Sequence, residues 1–167
     1  MKVSFLYLLL MMLTACGSRG LKPNEFPTEN QGIAFTKIKL IGAPKAMVHI
    51  FTEGDRLGPH KGRIDITEGE KVYAIILSEG NYDFGQISAG RATDIWPKKS
   101  SCESFSVTKG SSSYIGDLVL SINYPKYDIK CGNELVKDLN TSTKEFEEKY
   151  PHINRKYPYV SGVNKAM

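Results

Sequence analysis

The sequence predicts a mainly β protein: a single β-sandwich followed by a short C-terminal helix. Short stretches of aliphatic, β-branched and aromatic residues recur along most of the chain, and clusters of glycine, proline, asparagine and aspartate separate them. The periodicity of an amphipathic helix is confined to residues near 142–153. Many short strands with frequent turns are typical of sandwiches and barrels, whereas an α/β fold would alternate its strands with helices.

The N-terminal residues have the pattern of an export signal. Lys2 supplies a positive charge, and the apolar stretch 3–13 that follows is too short to span a bilayer. The stretch ends in Leu13-Thr14-Ala15-Cys16, which resembles the lipobox of bacterial lipoproteins. The resemblance implies cleavage before Cys16 and acylation of its thiol and its new amino group, with chains such as palmitate, so that the protein is held on a membrane. An ordinary secretory signal with an unrelated cysteine is the alternative interpretation.

The residues after Cys16 suggest a location and a tether. Gly17 occupies the position at which an aspartate favours inner-membrane retention in lipoproteins, so the resemblance implies the periplasmic face of the outer membrane. Residues 16–31 contain two prolines and show no periodicity, which predicts a lipidated flexible tether. We therefore divide the chain into a signal peptide (1–15), this tether, a β-sandwich domain (32–132) and a C-terminal helical segment and tail (133–167).

Turn residues delimit the predicted strands. Gly42-Ala43-Pro44 separates the stretches 34–41 and 46–52, and Glu68-Gly69-Glu70 separates the stretches 63–67 and 71–77. Residues 63–67 alternate apolar with polar side chains, whereas 71–77 form the most core-like stretch of the chain. The remaining strands are predicted at residues 82–87, 103–107, 113–123 and 127–131.

The C-terminal helix is predicted over residues 142–150. Ser142 and Glu145 have the spacing of a capping box. Phe146, Tyr150 and Ile153 lie at steps of four and three residues, which places them on one helix face. Proline at position 151 disfavours a regular helix through the residue before it.

Two motifs built from turns and core positions resemble a known class of β-sandwich. Residues 77–82 (LSEGNY) resemble the L-x-x-G-x-Y turn of prealbumin-like and carboxypeptidase-regulatory-like domains, in which glycine can take positive φ and Tyr82 returns an aromatic ring to the core. Residues 105–110 (FSVTKG) lead into 114–117 (YIGD), which is similar to a hairpin of small uncharacterised bacterial lipoproteins. The resemblance implies a transthyretin-like fold and an envelope location, and it transfers no active site.

Two cysteines remain besides Cys16. Cys102 and Cys131 form an even pair in a compartment where disulfides persist, which predicts a disulfide between them. The bond would close a loop of about 30 residues and add about 3 kcal/mol in the chain-entropy model. Two buried free thiols are the alternative, and a redox role is not expected because neither cysteine lies in a C-x-x-C motif.

The sequence predicts no catalytic centre, no cofactor and no metal site. Its histidines lie far apart and have no partner at metal-ligand spacing: His49, His60 and His152. Four of its acidic residues are scattered along the sequence, mostly at turns or at exposed strand positions: Asp55, Asp65, Asp83 and Asp94. The net charge of +4 is mild, and together with the export signal it argues against nucleic acid as a partner.

Aromatic residues in the second half of the chain are the candidates for a binding surface. Trp96, Tyr157 and Tyr159 would contact a protein or glycan if exposed, and core packing is the alternative use. The leading hypothesis is a non-enzymatic accessory lipoprotein that binds another envelope protein, for example as a secretion-machine adaptor. A module that binds cell-wall glycan or a small amphiphile is the second hypothesis, and a wall hydrolase with paired carboxylates is the third.

Overall fold

The computed structural model describes residues 18–55, 57–89, 92–95, 104–123, 126–131, 139–154 and 156–162. These residues form a mainly β protein with a short helix near the C-terminus, which confirms the predicted fold class. The described strands belong to one hydrogen-bonded sheet that curls on itself, so a sandwich of two separate sheets is not confirmed. Within the described ranges, no helix is long and apolar enough to cross a membrane.

The elements follow one another in a simple order. The strands are β1 (Ser18–Arg19), β2 (Gln31–Thr52), β3 (Gly62–Ser78), β4 (Gly80–Ala89), β5 (Ala92–Ile95), β6 (Phe105–Val107), β7 (Ser112–Tyr114), β8 (Leu118–Asn123), β9 (Lys126–Cys131) and β10 (Tyr159–Ser161). The described residues between β9 and β10 form two helices, α1 (Leu139–Lys149) and α2 (Pro151–Asn154).

β2 and β3 form a long antiparallel hairpin with a bend in the middle. Their register shifts between the pair Leu40–Gly69 and the pair Lys45–Thr67, so residues 41–44 of β2 lie opposite a single residue of β3. Gly42 and Gly69 have φ angles of 78° and 97°, a region that L side chains disfavour. The glycine-containing segments around them, predicted as turns between separate strands, are therefore bends within two continuous strands.

The bend divides the hairpin into a first arm (residues 31–40 and 69–78) and a second arm (residues 45–52 and 62–67). β7 and β8 pair with β2 in the first arm, and β4 pairs with β2 in the second arm. The sheet curls because both ends of β2 contact the same segment of chain: the amide of Glu79 donates to the carbonyl of Asn30, and the amide of Glu53 donates to that of Asn81. We call the side of the molecule that contains residues 30, 53 and 79–81, opposite the bend, the open end.

An inner core fills the space between the two arms. It includes Ile38, Val48, Ile64 and Ile75, which are 0–1% exposed. Residues 63–67 alternate as predicted, since Ile64 and Ile66 face this core while their neighbours face outwards. The inner core also contains Tyr82, whose ring stacks on Phe105 at a centroid distance of 5.8 Å, so its predicted core position is confirmed.

A second apolar cluster, the outer cluster, packs both helices against the outer face of the first arm. Its β members alternate with inner-core residues along the strands, which is why residues 71–77 are apolar on both faces, as predicted. The members of this cluster are Leu21, Ile33, Phe35, Val72, Ala74, Ile76, Tyr114, Phe146, Tyr150, Ile153 and Tyr157.

The predicted packing face of the C-terminal helix is confirmed, but its predicted first residue is wrong. Phe146, Tyr150 and Ile153 all lie in the outer cluster, as their spacing predicts, and the helix breaks at the residue before Pro151. The helix already includes Leu139, so Ser142 lies within it and the predicted capping box is wrong. The hydroxyl of Ser142 instead faces Asp117, at 3.4 Å from Oδ1.

The stretch from Phe105 to Asn123 differs from the prediction in two ways. β6 pairs with β4, whereas β7 pairs with β2 and β10, so the two strands of the predicted hairpin join different neighbours. The strand predicted over 113–123 is interrupted at 115–117, where Gly116 has a φ of 84°. This interruption lets β7 and β8 follow the same edge of β2 at two separate places.

Residues 18–21 run along the outer edge of β3. Ser18 and Arg19 pair in parallel with Gly62 and the residue after it, and Gly20 forms a bridge with Ile75. The amide of Leu21 donates to Ala74 at 2.7 Å, and its side chain is buried in the outer cluster. This part of the expected tether is therefore attached to the sheet and joins its two arms.

Candidate functional site

The two aromatic candidates that the structure describes, Tyr157 and Tyr159, both lie at the outer cluster. Tyr157, a candidate for the binding surface, is only 7% exposed and belongs to this cluster, so core packing, the alternative use, applies to it. Tyr159 is 36% exposed, and its ring lies 5.9 Å from that of Phe35 and 6.1 Å from that of Phe146. Cys16, Trp96 and Cys102 lie outside the described residues, and Cys131 is the last residue of β9.

A polar cleft opens where α1 crosses the first arm. It has a volume of about 300 Å³, and side chains from four parts of the chain line it. These are Lys37 and Lys39 on β2, Glu70 at the bend of β3, Asp117, Leu118 and Val119 at the start of β8, and Ser142 on α1.

Lys37 holds the walls of the cleft together. Its Nζ lies 2.8 Å from Oε1 of Glu145 on α1 and 2.9 Å from Oε1 of Glu70 on β3. The side chain is only 17% exposed, and burial disfavours its ammonium form, but the two carboxylates outweigh burial and raise the pKa of Lys37. Lys37 therefore stays charged and connects the helix to both strands of the hairpin.

Asp117 forms the inner end of the cleft. Its Oδ1 accepts the backbone N–H of Lys37 at 3.3 Å, and the Ser142 hydroxyl donates to the same oxygen at 3.4 Å. Partial burial disfavours the carboxylate and raises the pKa of Asp117, although these hydrogen bonds oppose the shift. The adjacent Tyr114 hydroxyl is buried. Burial, together with its interaction with the Asp117 carboxylate, raises the pKa of Tyr114.

This arrangement is suited to hold a polar ligand. Asp117 offers a carboxyl group that keeps its proton to a higher pH than usual, and Lys39, 49% exposed, offers a charged donor at the mouth. The Glu70 carboxylate contacts lysines through both oxygens: Oε1 lies beside Lys37, and Oε2 lies 3.9 Å from Lys39. Both oxygens of the Glu70 carboxylate are thus close to ammonium groups.

The structure brings together two histidines that the sequence separates. The ring centroids of His49 on β2 and His60 before β3 lie 5.1 Å apart. The sequence could have indicated this contact, because the two histidines lie on either side of the turn that joins β2 to β3. A structural metal site needs more ligands than two, and among the described residues no group of three or more metal-ligating side chains converges.

Asp83 is buried, unlike the turn and exposed strand positions expected for most of the acidic residues. It is only 5% exposed, and its carboxylate accepts the amide of Gly54 at 3.0 Å and the hydroxyl of Ser104 at 2.9 Å. Asp83 therefore holds the turn after β2 in place. Asp55 and Asp65 are exposed, as predicted.

The cleft was not predicted from the sequence. Lys37 interrupts an apolar strand and Asp117 ends the YIGD motif, but nothing in the sequence shows that α1 brings Ser142 beside them. No family model matches this chain, and no curated protein and no solved structure matches it either.

Proposed function

We propose that the protein is a bacterial lipoprotein, attached through acylated Cys16 to the periplasmic face of the outer membrane, and that it acts as a non-enzymatic module that binds another envelope protein. The observation that carries this proposal is the position of Cys16. It ends a lipobox-like sequence, and the first described strand begins only two residues later, at Ser18.

The short spacing between Cys16 and the sheet supports a tight attachment. Gly17 is the one residue between Cys16 and Ser18, and two Cα–Cα steps span at most about 8 Å. Acyl chains on Cys16 would therefore hold the sheet next to the bilayer surface. Each buried methylene contributes about 0.8 kcal/mol, so two or more chains would make the attachment stable.

The outer face of the second arm is the surface that we assign to a protein partner. α1 packs on the first arm, whereas the second arm presents Met47, His49, Arg63 and Asp65 on its outer face. Arg63 and Asp65 form an ion pair at 3.0 Å, and the Asp65 side chain is 56% exposed. A mixed polar face of this kind suits a reversible contact with another protein.

In-cell crosslinking tests the proposal. Full-length protein would be crosslinked, purified from solubilised membranes and examined by mass spectrometry, which also reports the acylated N-terminal peptide. We expect a reproducible envelope partner that is lost with Cys16→Ala and reduced with Asp65→Lys, and that is retained with Lys144→Glu on α1. An unmodified Cys16 would overturn the anchor, and a protein that captures no partner while converting a defined substrate would overturn the binding role.

The polar cleft supports ligand binding as a second candidate function. A fragment of cell-wall glycan or a small amphiphile with an acidic group could contact Lys39 and Asp117, which both line the cleft. Titration of wall fragments with thermal unfolding as the readout tests this function. We expect stabilisation that is lost with Lys39→Ala, and an unchanged midpoint across the whole panel would contradict it.

A further inference from the structure

The connection between β2 and β3 lies at the end of the sheet where β1 begins. Ser18 and Arg19 run parallel to β3, with Ser18 opposite Gly62. Chains in a parallel pair run in the same direction, so the first residues of β1 and of β3 lie at the same end of the sheet. Residues 57–61, which we call the hairpin tip, directly precede β3 and therefore lie at the end of the sheet that holds Ser18, which follows Cys16 by two positions in the sequence.

The hairpin tip carries an apolar side chain that contacts nothing in the chain. Leu57 is 101% exposed, whereas the other exposed large apolar residues of the described ranges, Phe26, Ile41 and Tyr159, keep half or more of their surface covered. Moving a leucine side chain from water into an apolar phase is favourable.

We infer that Leu57 inserts into the acyl layer of the membrane that holds the protein. This inference depends on the proposed lipid anchor at Cys16, because the anchor places the hairpin tip at the bilayer surface. The Cys16 lipid and Leu57 then form two points of contact, and together they set the orientation of the sheet relative to the membrane.

The charges around the hairpin tip indicate whether the tip is attracted by the surface charge of the bilayer or by its acyl layer. Lys61 is exposed on one side of the hairpin, and Glu53 and Asp55 are exposed on the other, so the base of the tip carries both signs. A mixed set of charges gives little attraction to an anionic surface. The contact is therefore apolar insertion, and it occurs on a bilayer of zwitterionic lipid.

Quenching of tryptophan fluorescence by brominated lipids tests the inference. Lipidated full-length protein would be reconstituted into phosphatidylcholine vesicles with brominated acyl chains, and the native protein, which contains a single tryptophan, would supply the background signal. Leu57→Trp adds a reporter at the hairpin tip. Ile41→Trp is the matched control, because Ile41 is 40% exposed and lies at the bend, away from the open end.

We expect the added fluorescence of Leu57→Trp to fall by about half in brominated vesicles, since interfacial segments bury their apolar side chains about 5–10 Å into the boundary between headgroups and acyl chains. The added fluorescence of Ile41→Trp should not change. Equal quenching of the two variants, or none in either, overturns the inference. Vesicle flotation separates this failure from failure of the anchor. If the native protein does not float with the vesicles, or floats no better than Cys16→Ala, the proposed lipid attachment at Cys16 is overturned.

Discussion

The phenyl rings of Phe35 on β2 and Phe146 on α1 stack with their centroids 4.4 Å apart and their planes inclined by 20°. Both side chains are fully buried, and Phe146 is the residue of α1 that reaches deepest into the outer cluster. This ring pair is therefore the main apolar contact between the helix and the first arm.

Phe146→Ala should destabilise the protein by about 3–5 kcal/mol, because it removes a buried ring and leaves a cavity beside Phe35. Urea unfolding followed by circular dichroism measures the loss. Glu148→Ala is a matched change on the exposed side of the same helix, and we expect it to alter the free energy of unfolding by less than about 0.5 kcal/mol. Similar values for the two variants would contradict the packing described above.

Gly69→Ala should cost about 1–2 kcal/mol, because φ at this position is 97° and an L side chain is strained there. A Cβ atom at Gly69 would meet no neighbour within 4 Å, so the cost reports backbone conformation rather than crowding. Thermal unfolding of this variant and of Glu68→Ala, an adjacent exposed position, would separate the two effects. A Gly69→Ala protein as stable as the parent would show that the bend does not need a glycine.

The raised pKa of Asp117 predicts a specific dependence of stability on pH. Above the ordinary pKa of 3.8, the folded protein holds the proton of this carboxyl group more strongly than the unfolded chain does. The contribution of Asp117 is thus fully present below pH 3.8 and is lost as the pH rises through its folded pKa.

Asp117→Asn removes this titration. The free energy of unfolding of the parent minus that of the variant should fall as the pH is raised from about 3 to about 7. Urea unfolding of both proteins across this range gives the difference, and Asp55→Asn shows what loss of an exposed carboxyl group does. A difference that rises with pH would mean that the folded state favours the carboxylate.

Lys37→Met should destabilise the protein by about 1–2 kcal/mol, because it removes two charge-assisted hydrogen bonds at a largely buried position. Lys109→Met is the matched control, since it breaks an ion pair with Glu79 in which both side chains are more than half exposed, and such pairs contribute little. Both values come from urea unfolding at low and high salt. Equal effects would show that the Lys37 network is no stronger than a surface ion pair.

The sequence predicted the features of this fold that depend on local pattern. Alternation at 63–67, the doubly apolar stretch 71–77 and the helix face of Phe146 and Tyr150 each follow from side-chain periodicity, and each is found in the structure. The bends at Gly42 and Gly69 were predicted as turns because a glycine with positive φ has the same sequence signal in both cases. Only strand register, a long-range property, distinguishes the two.

The polar cleft and the pairing of the short strands could not be predicted in the same way. Lys37, Asp117 and Ser142 come from a strand, a loop and a helix, and their contacts form only when α1 packs on the first arm. The same holds for β7, whose partners β2 and β10 lie far from it in sequence. No local periodicity records such contacts, because they depend on tertiary packing.

β2 and β3 pass unbroken from one arm to the other, and this continuity joins the two arms covalently at the bend. Residues of each strand belong to both arms, so a displacement of one arm is passed along both strands to the other. Residues 18–21 add a further crossing along the edge of β3. A force applied through the N-terminal end of the chain would therefore be transmitted to both arms.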